Sequence, residues 1–509
     1  MNLIPNKSEK SLSYWCSWHT QNIIAVLDFS DRFPAEIGAK MRAGVSDAKS
    51  ARMMLNEAIL FGQNGFAHQY EEVRNEMYLM LDDGWDVDYG INPDKNIAKF
   101  GSLIMSEERF PSVKGKSPAE RLRMINDKVK ALGWRGIGIW VAAQRSAEDY
   151  EAPFGEKDLD YWRERILWSR EAGVEYWKVD WGSQAGNHAF RKALTDMGRE
   201  LYPELTIEHA TCMDPLNAFG HPNPACEGRF EHMDGIAGHS KEGVSYAEVY
   251  RSYDVLNAMA VPTTLDRVAW LLKWSNGYVN GEDECTLNAA LGCSCGIMRS
   301  HYCREFQNEA GDDRGWRLDE VKAALRWQRI APAFPGTLTE CSEEILFDNR
   351  VYQAGDSWWG GATGKNVRQG APAVVARNLP VSSIRVEGDV KPYVAASLNP
   401  NGAYTVAVLP RVIDGKNHYP DATVRCDIPA GVDTVGVFGL NCTVSLHAAE
   451  PFSKVYVQSL VCDEAFELTE GIEGNTVTLT PAFAQKVFGG RDKTAPALML
   501  RVIRNKPAL

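Results

Sequence analysis

Between residues 12 and 335, short apolar stretches alternate with amphipathic ones eight times, and few folds accommodate that pattern. The apolar stretches are Tyr14–Thr20, Tyr78–Trp85, Gly136–Ala143, Tyr176–Trp181, Leu205–Ala210, Ser252–Leu256, Gly277–Gly281 and Gly292–Arg299. Several are continuous apolar runs, as expected of parallel strands covered on both faces. The stretches between them carry helix signals. Ser117-Pro118-Ala119-Glu120 reads as N-cap, first-turn proline and capping-box acid. Leu122, Ile125, Val129 and Leu132 follow at helical spacing, and Gly133 ends the run. Asp158–Ala172 repeats the pattern up to Gly173, and Ala189–Leu201 repeats it up to Pro203. Eight strand–helix units predict a (β/α)8 TIM barrel. An open doubly wound sheet is the alternative, but it lacks the glycine-rich phosphate fingerprint that would support it.

After about residue 337 helical periodicity stops. Short β-type runs such as Ala373–Ala376, Ala403–Val408, Thr434–Phe438, Lys454–Val457 and Asn475–Leu479 take over, separated by Gly, Pro, Asn and Asp turns. The chain of 509 residues is too long for one core. The expected division is therefore a catalytic barrel over 1–336 and an all-β sandwich domain over 337–509.

Bulk composition narrows the partners. The formal net charge is −12 with no basic tract, so nucleic acid and anionic membranes are excluded as expected partners. No run approaches the ~18 apolar residues of a membrane span. The N-terminus lacks a signal-peptide core, which read literally means a cytoplasmic protein; a secreted chain whose signal peptide had been trimmed would read the same. The 11 cysteines lack regular spacing and read as buried free thiols, Cys293 and Cys295 sharing one face of a strand. Homo-oligomerisation stays open.

In a barrel, function gathers at the carboxyl ends of the strands. Those ends present Trp18 and His19, then Asp82 and Asp83, then Trp140 and Gln144. Lys178 and Asp180, Glu208 and His209, Arg251 and Asp254, Glu282-Asp283-Glu284, and Arg299 follow. In Tyr176-Trp177-Lys178-Val179-Asp180-Trp181-Gly182-Ser183, period-two alternation puts Lys178 and Asp180 on one face. That pair reads either as a structural ion pair or as an oriented nucleophile. Adjacent Asp82 and Asp83 are able to accept hydrogen bonds from two sugar hydroxyls, or to form a turn. Carboxylates with indoles suit glycoside chemistry, in which one acid attacks the anomeric carbon and another protonates the leaving oxygen. His209, Cys212, His221, Cys226 and His232 match no zinc spacing, so neither metal nor cofactor is expected. Glu282-Asp283-Glu284 reads as a solvated or substrate-facing loop in preference to a cation site.

Trp15-Cys16-Ser17-Trp18, Asp82-Asp83-Gly84-Trp85, Gly138-Ile139-Trp140-Val141, Lys178-Val179-Asp180 and Arg251-Ser252-Tyr253-Asp254 occur in this order, one per strand end. As an ordered set they resemble the melibiase-type α-galactosidases, the retaining enzymes of glycoside hydrolase clan D, families 27 and 36. The resemblance covers about residues 12–335, and a C-terminal β domain fits the same architecture. It implies that Asp180 is the nucleophile and Asp254 the acid/base, paired with Arg251. It implies that Lys178 contacts ring hydroxyls, that Asp82 and Asp83 hold the 4- and 6-hydroxyls of galactose, and that Trp18 and Trp140 wall the sugar site. Glu208 resembles an acid that meets the 2-hydroxyl, which would crowd a 2-acetamido sugar. The chain departs from the family pattern where Trp181-Gly182 follows the nucleophile. Asp254 also lies 74 positions after Asp180 (254 − 180), a spacing that points to an inserted loop within 212–245. The expected activity is exo-acting release of α-linked galactose. Another clan-D activity, including transglycosylation, and a silent carbohydrate-binding protein are the alternatives.

Overall fold

The computed structural model describes residues 1–8, 10–26, 48–63, 65–212, 233–252, 260–298, 318–336, 341–347, 370–413, 416–490 and 494–503. Eight parallel strands form its first sheet: β1 Ser13–Cys16, β2 Met77–Leu81, β3 Ile137–Val141, β4 Tyr176–Val179, β5 Thr206–Cys212, β6 Val249–Ser252, β7 Tyr278–Asn280 and β8 Gly296–Ile297. Their spatial order, β7-β6-β5-β4-β3-β2-β1-β8, follows the chain around a ring. A parallel bridge between Asn280 and Ser294 joins β7 to the segment leading into β8, so the sheet closes as a (β/α)8 barrel.

The helices begin and end where local chemistry dictates. Ser117 and Glu120 form a reciprocal capping box ahead of Pro118–Ala131, which buries Leu122, Ile125 and Val129. Glu156–Ala172 stops at Gly173, whose φ of 64° is left-handed. Asn187 caps His188–Leu201, which buries Phe190, Leu194 and Met197.

Four strands differ from expectation. β2 ends at Leu81 instead of Trp85, and β8 spans Gly296–Ile297 instead of Gly292–Arg299. Cys293 and Cys295 therefore precede that strand and do not share one of its faces: Gly292, with a φ of 62°, and the Cys293 amide, bonded to Asn288 O, still close the preceding helix. β1 ends at Cys16 instead of running to Thr20, and a helix starts at Trp18. The cause is Ser17, whose amide bonds to Met80 O while its hydroxyl accepts the Asp82 amide at 3.0 Å and donates to Gln21 at 2.6 Å. That stitch binds the ends of β1 and β2 and turns the chain. β6 spans Val249–Ser252 instead of Ser252–Leu256, so Arg251 lies within the strand, paired in register with Ala210 of β5 and Asn280 of β7. A charged residue in a short strand hides the apolar Val249-Tyr250 start. Asp254, Arg299, His221, Cys226 and His232 lie outside the described residues, as do residues 213–232 of the expected insertion.

Beyond the barrel, two sheets stack. An eight-stranded sheet and a five-stranded sheet share one apolar core. Val374, Val394, Val406, Val435 and Leu498 of the larger sheet meet Val424, Cys426, Val444, Leu446 and Val477 of the smaller. The alternate residues of the larger sheet, among them Val375, Tyr393, Ala395, Ala407 and Phe438, face the other way and join the barrel's helical shell in a second core. The larger sheet is therefore buried on both faces, which explains its uninterrupted apolar runs. The cysteines with described side chains are free thiols, and Cys293 and Cys295 are buried. Among the described residues no helix is long and apolar enough to cross a membrane.

Candidate active site

Alternation along the strands sends Tyr14 and Cys16, Tyr78 and Met80, Tyr176, Val249 and Met298 into the barrel, where they pack as one cluster. Continuing the same phase toward the carboxyl ends gives Asp82, Trp140, Lys178, Asp180, Glu208 and Arg251. These six candidates from the sequence converge at one end of the barrel.

Asp180 follows directly on β4. Its Oδ2 accepts the indole N–H of Trp140 at 3.1 Å and lies 3.5 Å from the Arg251 guanidinium. Its side chain keeps 12% exposure, whereas Arg251 keeps none, so Asp180 is the member of this pair that opens to the mouth. Its main chain is fixed from behind. Arg191 donates to the carbonyls of Val179 at 3.1 Å and Asp180 at 2.8 Å. Arg191 also donates to His209 Nδ1 at 3.2 Å, while His209 Nε2 meets Thr195 at 2.9 Å. Burial, then the Arg191 charge, pushes the His209 pKa well below its usual value, so the ring is neutral. Both of its nitrogens serve this scaffold.

The cation two residues before Asp180 does not pair with it. Lys178 Nζ donates to Asp82 Oδ2 at 2.7 Å, and Arg251 is the cation at Asp180. The expected Lys178–Asp180 pairing thus becomes two pairs: residues two apart on one strand face stand about 7 Å apart, and the long Lys178 side chain reaches Asp82 at the end of β2 instead. Asp82 Oδ2 also receives Cys16 Sγ at 3.0 Å, and Oδ1 accepts the Asp83 amide at 2.8 Å.

Asp83 is turned the other way. Arg52, from the helix Ala48–Met53, grips both its oxygens, with Nε at 2.8 Å and Nη2 on the second oxygen, and stacks over Phe100. Burial raises the Asp83 pKa against that pairing. The two neighbouring acids therefore do different things: Asp82 belongs to the barrel mouth, and Asp83 to the contact between the barrel and the loop that carries Phe100.

Glu208 is fully buried. Tyr14 and Tyr176 each donate to it at 2.8 Å, Asn280 donates at 2.9 Å, and Arg251 Nε lies 3.6 Å away. Burial, then the Glu208 charge, raises both tyrosine pKa values well above 10, which keeps the phenols protonated as donors. Arg251 in turn bonds Glu282 at 2.6 Å. Glu282-Asp283-Glu284 is a buried segment, not a solvated loop: Glu282 holds Arg251, Asp283 accepts the Met298 amide at 3.0 Å, and Glu284 stands at the N-cap position of the helix Cys285–Leu291.

Trp140 is buried, Trp181 packs against it with the rings tilted, and Phe100 packs edge-on to Trp181. Trp18 packs partly buried against the barrel-interior cluster. Gln144 ties the mouth's rim, donating to Ile97 O at 2.7 Å and accepting the Ser183 amide at 3.2 Å. The sequence reading missed Cys16, Tyr14, Tyr176, Asn280, Arg52 and Arg191. Tyr176 was within reach of the same alternation that placed Lys178, and Tyr14 shares its phase with Cys16.

The chain matches no protein-family model and no curated protein. Among solved structures it is similar to a variant of a GH27 β-L-arabinopyranosidase from Geobacillus stearothermophilus in complex with arabinose, with 11% identity over 99% of this chain and 98% of that one and a TM-score of 0.39. It is similar to α-galactosidase I from Mortierella vinacea, with 12% identity, 97% of each chain and a TM-score of 0.37. It is also similar to the Saccharomyces cerevisiae α-galactosidase with raffinose, with 10% identity, 97% of this chain, 98% of that one and a TM-score of 0.40.

Proposed function

We propose that this chain is a retaining, exo-acting glycoside hydrolase that releases terminal α-linked galactose through a covalent glycosyl-enzyme. The observation that carries the reading is Asp180: an oriented carboxylate at the end of β4, held by Trp140 and Arg251, open to the mouth, and accompanied there by the Asp82–Lys178 pair. In this scheme Asp180 attacks the anomeric carbon while Asp254, two residues beyond β6, gives its proton to the departing oxygen. Asp254 then takes a proton from water, which attacks the glycosyl ester and frees the sugar with retained configuration. Lys178 and Asp82 grip ring hydroxyls, and Trp18 and Trp140 wall the ring. Arg251 supports two positions, orienting Asp180 and preceding the acid/base. Tyr176 and Asn280 fill Glu208 Oε2, while Oε1 takes Tyr14 and lies 3.6 Å from Arg251 Nε, so the part of Glu208 is to anchor Arg251, and contact with the 2-hydroxyl would use the remaining lone pair of Oε1.

Hydrolysis of p-nitrophenyl α-D-galactopyranoside tests the activity, with a panel of other α-glycosides to fix the sugar and product analysis with excess acceptor to separate hydrolysis from transfer. Asp180→Asn is expected to lower kcat about a thousandfold or more while leaving the melting curve unchanged. A 2-deoxy-2-fluoro glycosyl fluoride is expected to label Asp180. A near-wild-type rate in Asp180→Asn would remove it as the nucleophile. Sugar binding without turnover on any α-glycoside would favour a carbohydrate-binding protein.

A further inference from the structure

We propose that Cys16 is a positioning residue of the sugar site: its protonated thiol, with Lys178, fixes the Asp82 carboxylate so that one lone pair of Oδ1 is left for a substrate hydroxyl. The inference rests on the sugar site proposed above.

Three groups from three strands meet here. Cys16 ends β1, Lys178 lies on β4, and Asp82 follows β2. Cys16 Sγ lies 3.0 Å from Asp82 Oδ2, Lys178 Nζ lies 2.7 Å from the same oxygen, and Nζ lies 3.5 Å from Sγ. All three side chains are buried. A carboxylate only accepts and an ammonium only donates, so the proton between sulfur and oxygen belongs to sulfur. Burial, then the Asp82 charge, raises the Cys16 pKa well above 9, consistent with a thiol that stays a donor. The lysine–sulfur contact uses the remaining capacity of Sγ as an acceptor.

The lone pairs of Asp82 can then be assigned. Oδ2 receives two donors, S–H and N–H, and its capacity is filled. Oδ1 receives the Asp83 amide at 2.8 Å and keeps one lone pair. Of the two donors on Oδ2, the ammonium would follow the carboxylate through a rotation about its Cα–Cβ bond, because a flexible ammonium is a point charge without directional demand. The thiol is short and attached to a strand end that is itself stitched to β2 through Ser17. It therefore defines the carboxylate's angle, which the lysine does not.

This role separates from packing by chemistry at constant size. Cys16→Ser keeps a donor, and Cys16→Ala removes it with little change in volume. On the turned-over α-glycoside, Cys16→Ala is expected to raise KM about 10- to 100-fold, the scale of one hydrogen bond to a charged group, with kcat within about threefold of wild type. Cys16→Ser is expected to stay within about threefold in both. A KM for Cys16→Ala within twofold of wild type, or equal impairment in Cys16→Ser and Cys16→Ala, would overturn the assignment. A fall in kcat and melting temperature with KM unchanged would also overturn it, assigning Cys16 to packing. If the wild-type protein turns over no glycoside, calorimetric binding of free galactose to the same variants reads the same contact, so failure of the catalytic reading and failure of the Cys16 assignment remain distinguishable.

Discussion

Asp82, Asp83, Asp86, Asp180 and Glu208 crowd one end of the barrel, and what each does is set by which donor reaches it. Lys178 and Cys16 take Asp82, Arg52 takes Asp83, Arg251 and Trp140 take Asp180, and two phenols with an amide take Glu208. Asp86 receives only neutral donors, the Leu103 amide at 3.2 Å and the Ser102 hydroxyl at 3.3 Å, and its buried Oδ1 has no protein partner among the described residues. Burial, with the Asp83 charge adding, pushes its pKa up to about 7. An unfolded aspartate titrates near 3.9, so between roughly pH 4 and pH 7 the folded protein binds this proton more tightly than the unfolded chain. The stability that Asp86 allows is complete below that window, declines as pH rises through it, and stays reduced above pH 7. Asp86→Asn removes the titration. Its stability relative to wild type is expected to improve between pH 4.5 and pH 8 by up to about 3 kcal/mol, read from urea unfolding at the two pH values. A difference that does not change with pH would show that Asp86 titrates normally. At this scale the sequence revealed the chemically active residue types but not their pairing. Lys178 and Asp180 were legible as neighbours on one face. That Lys178 serves Asp82, and that Arg52 reaches Asp83 from a helix some thirty positions earlier, depends on which strands and loops adjoin, which alternation within one strand does not encode.

The ends of β3 and β4 show how an element delivers a side chain to a fixed place. The Ala143 amide donates to Trp181 O at 2.7 Å, and the Gln184 amide donates to Ala143 O at 2.9 Å, so the two strand ends remain in close contact past the sheet. Gly182 makes that approach possible: its φ is 145°, and a Cβ there would lie 2.7 Å from the Ala143 backbone. Gly182→Ala is expected to cost roughly 1–3 kcal/mol and to lower kcat, since the strain acts two residues from Asp180. Gly186→Ala is the control, because its Cβ would meet nothing within 4 Å. Equal melting temperatures and rates for both variants would mean that the strand ends tolerate separation. The departure at Trp181-Gly182 that the sequence flagged has a structural reason here: Trp181 packs on Phe100 and on Trp140, the indole that orients Asp180. Element boundaries were legible where a cap or a glycine announced them, as at Ser117 and Gly173. They were misplaced at β1 and β6, where a side-chain bond from Ser17 and a charged residue within a strand overrode local pattern.

For the whole molecule, eight strand–helix units followed by β runs were enough to read a barrel with a β-sandwich after it, since the periods 3.6 and 2 differ plainly in the two parts. How the parts join was not legible, because strands apolar on both faces do not say which face meets what. The join is made by residues of the larger sheet. Trp327, from the barrel-side helix Leu318–Gln328, bonds Thr405 at 3.0 Å and lies where Gly436 has no side chain. Arg377 is fully buried and donates to four carbonyls: Leu291 at 2.6 Å, Gly292 at 3.0 Å, Phe334 at 2.8 Å and Pro335 at 3.2 Å. The first two close the helix Cys285–Leu291, whose last carbonyls have no partner within the helix. A sandwich residue thus caps a barrel helix at the end where the helix dipole favours a cation. The N-cap position of that helix is Glu284, two residues after the glutamate that holds Arg251, so the sandwich supports the mouth through a single helix. Arg377→Met keeps the bulk and removes the donors. It is expected to cost roughly 3 kcal/mol or more, from buried carbonyls left without donors, and to lower glycosidase activity as Arg251 loses its support. Thermal unfolding followed by near-UV circular dichroism, with residual activity assayed along the same ramp, reads both effects. If Arg377→Met melts with the wild type, the sandwich rests against the barrel by apolar contact alone and has no hold on the site.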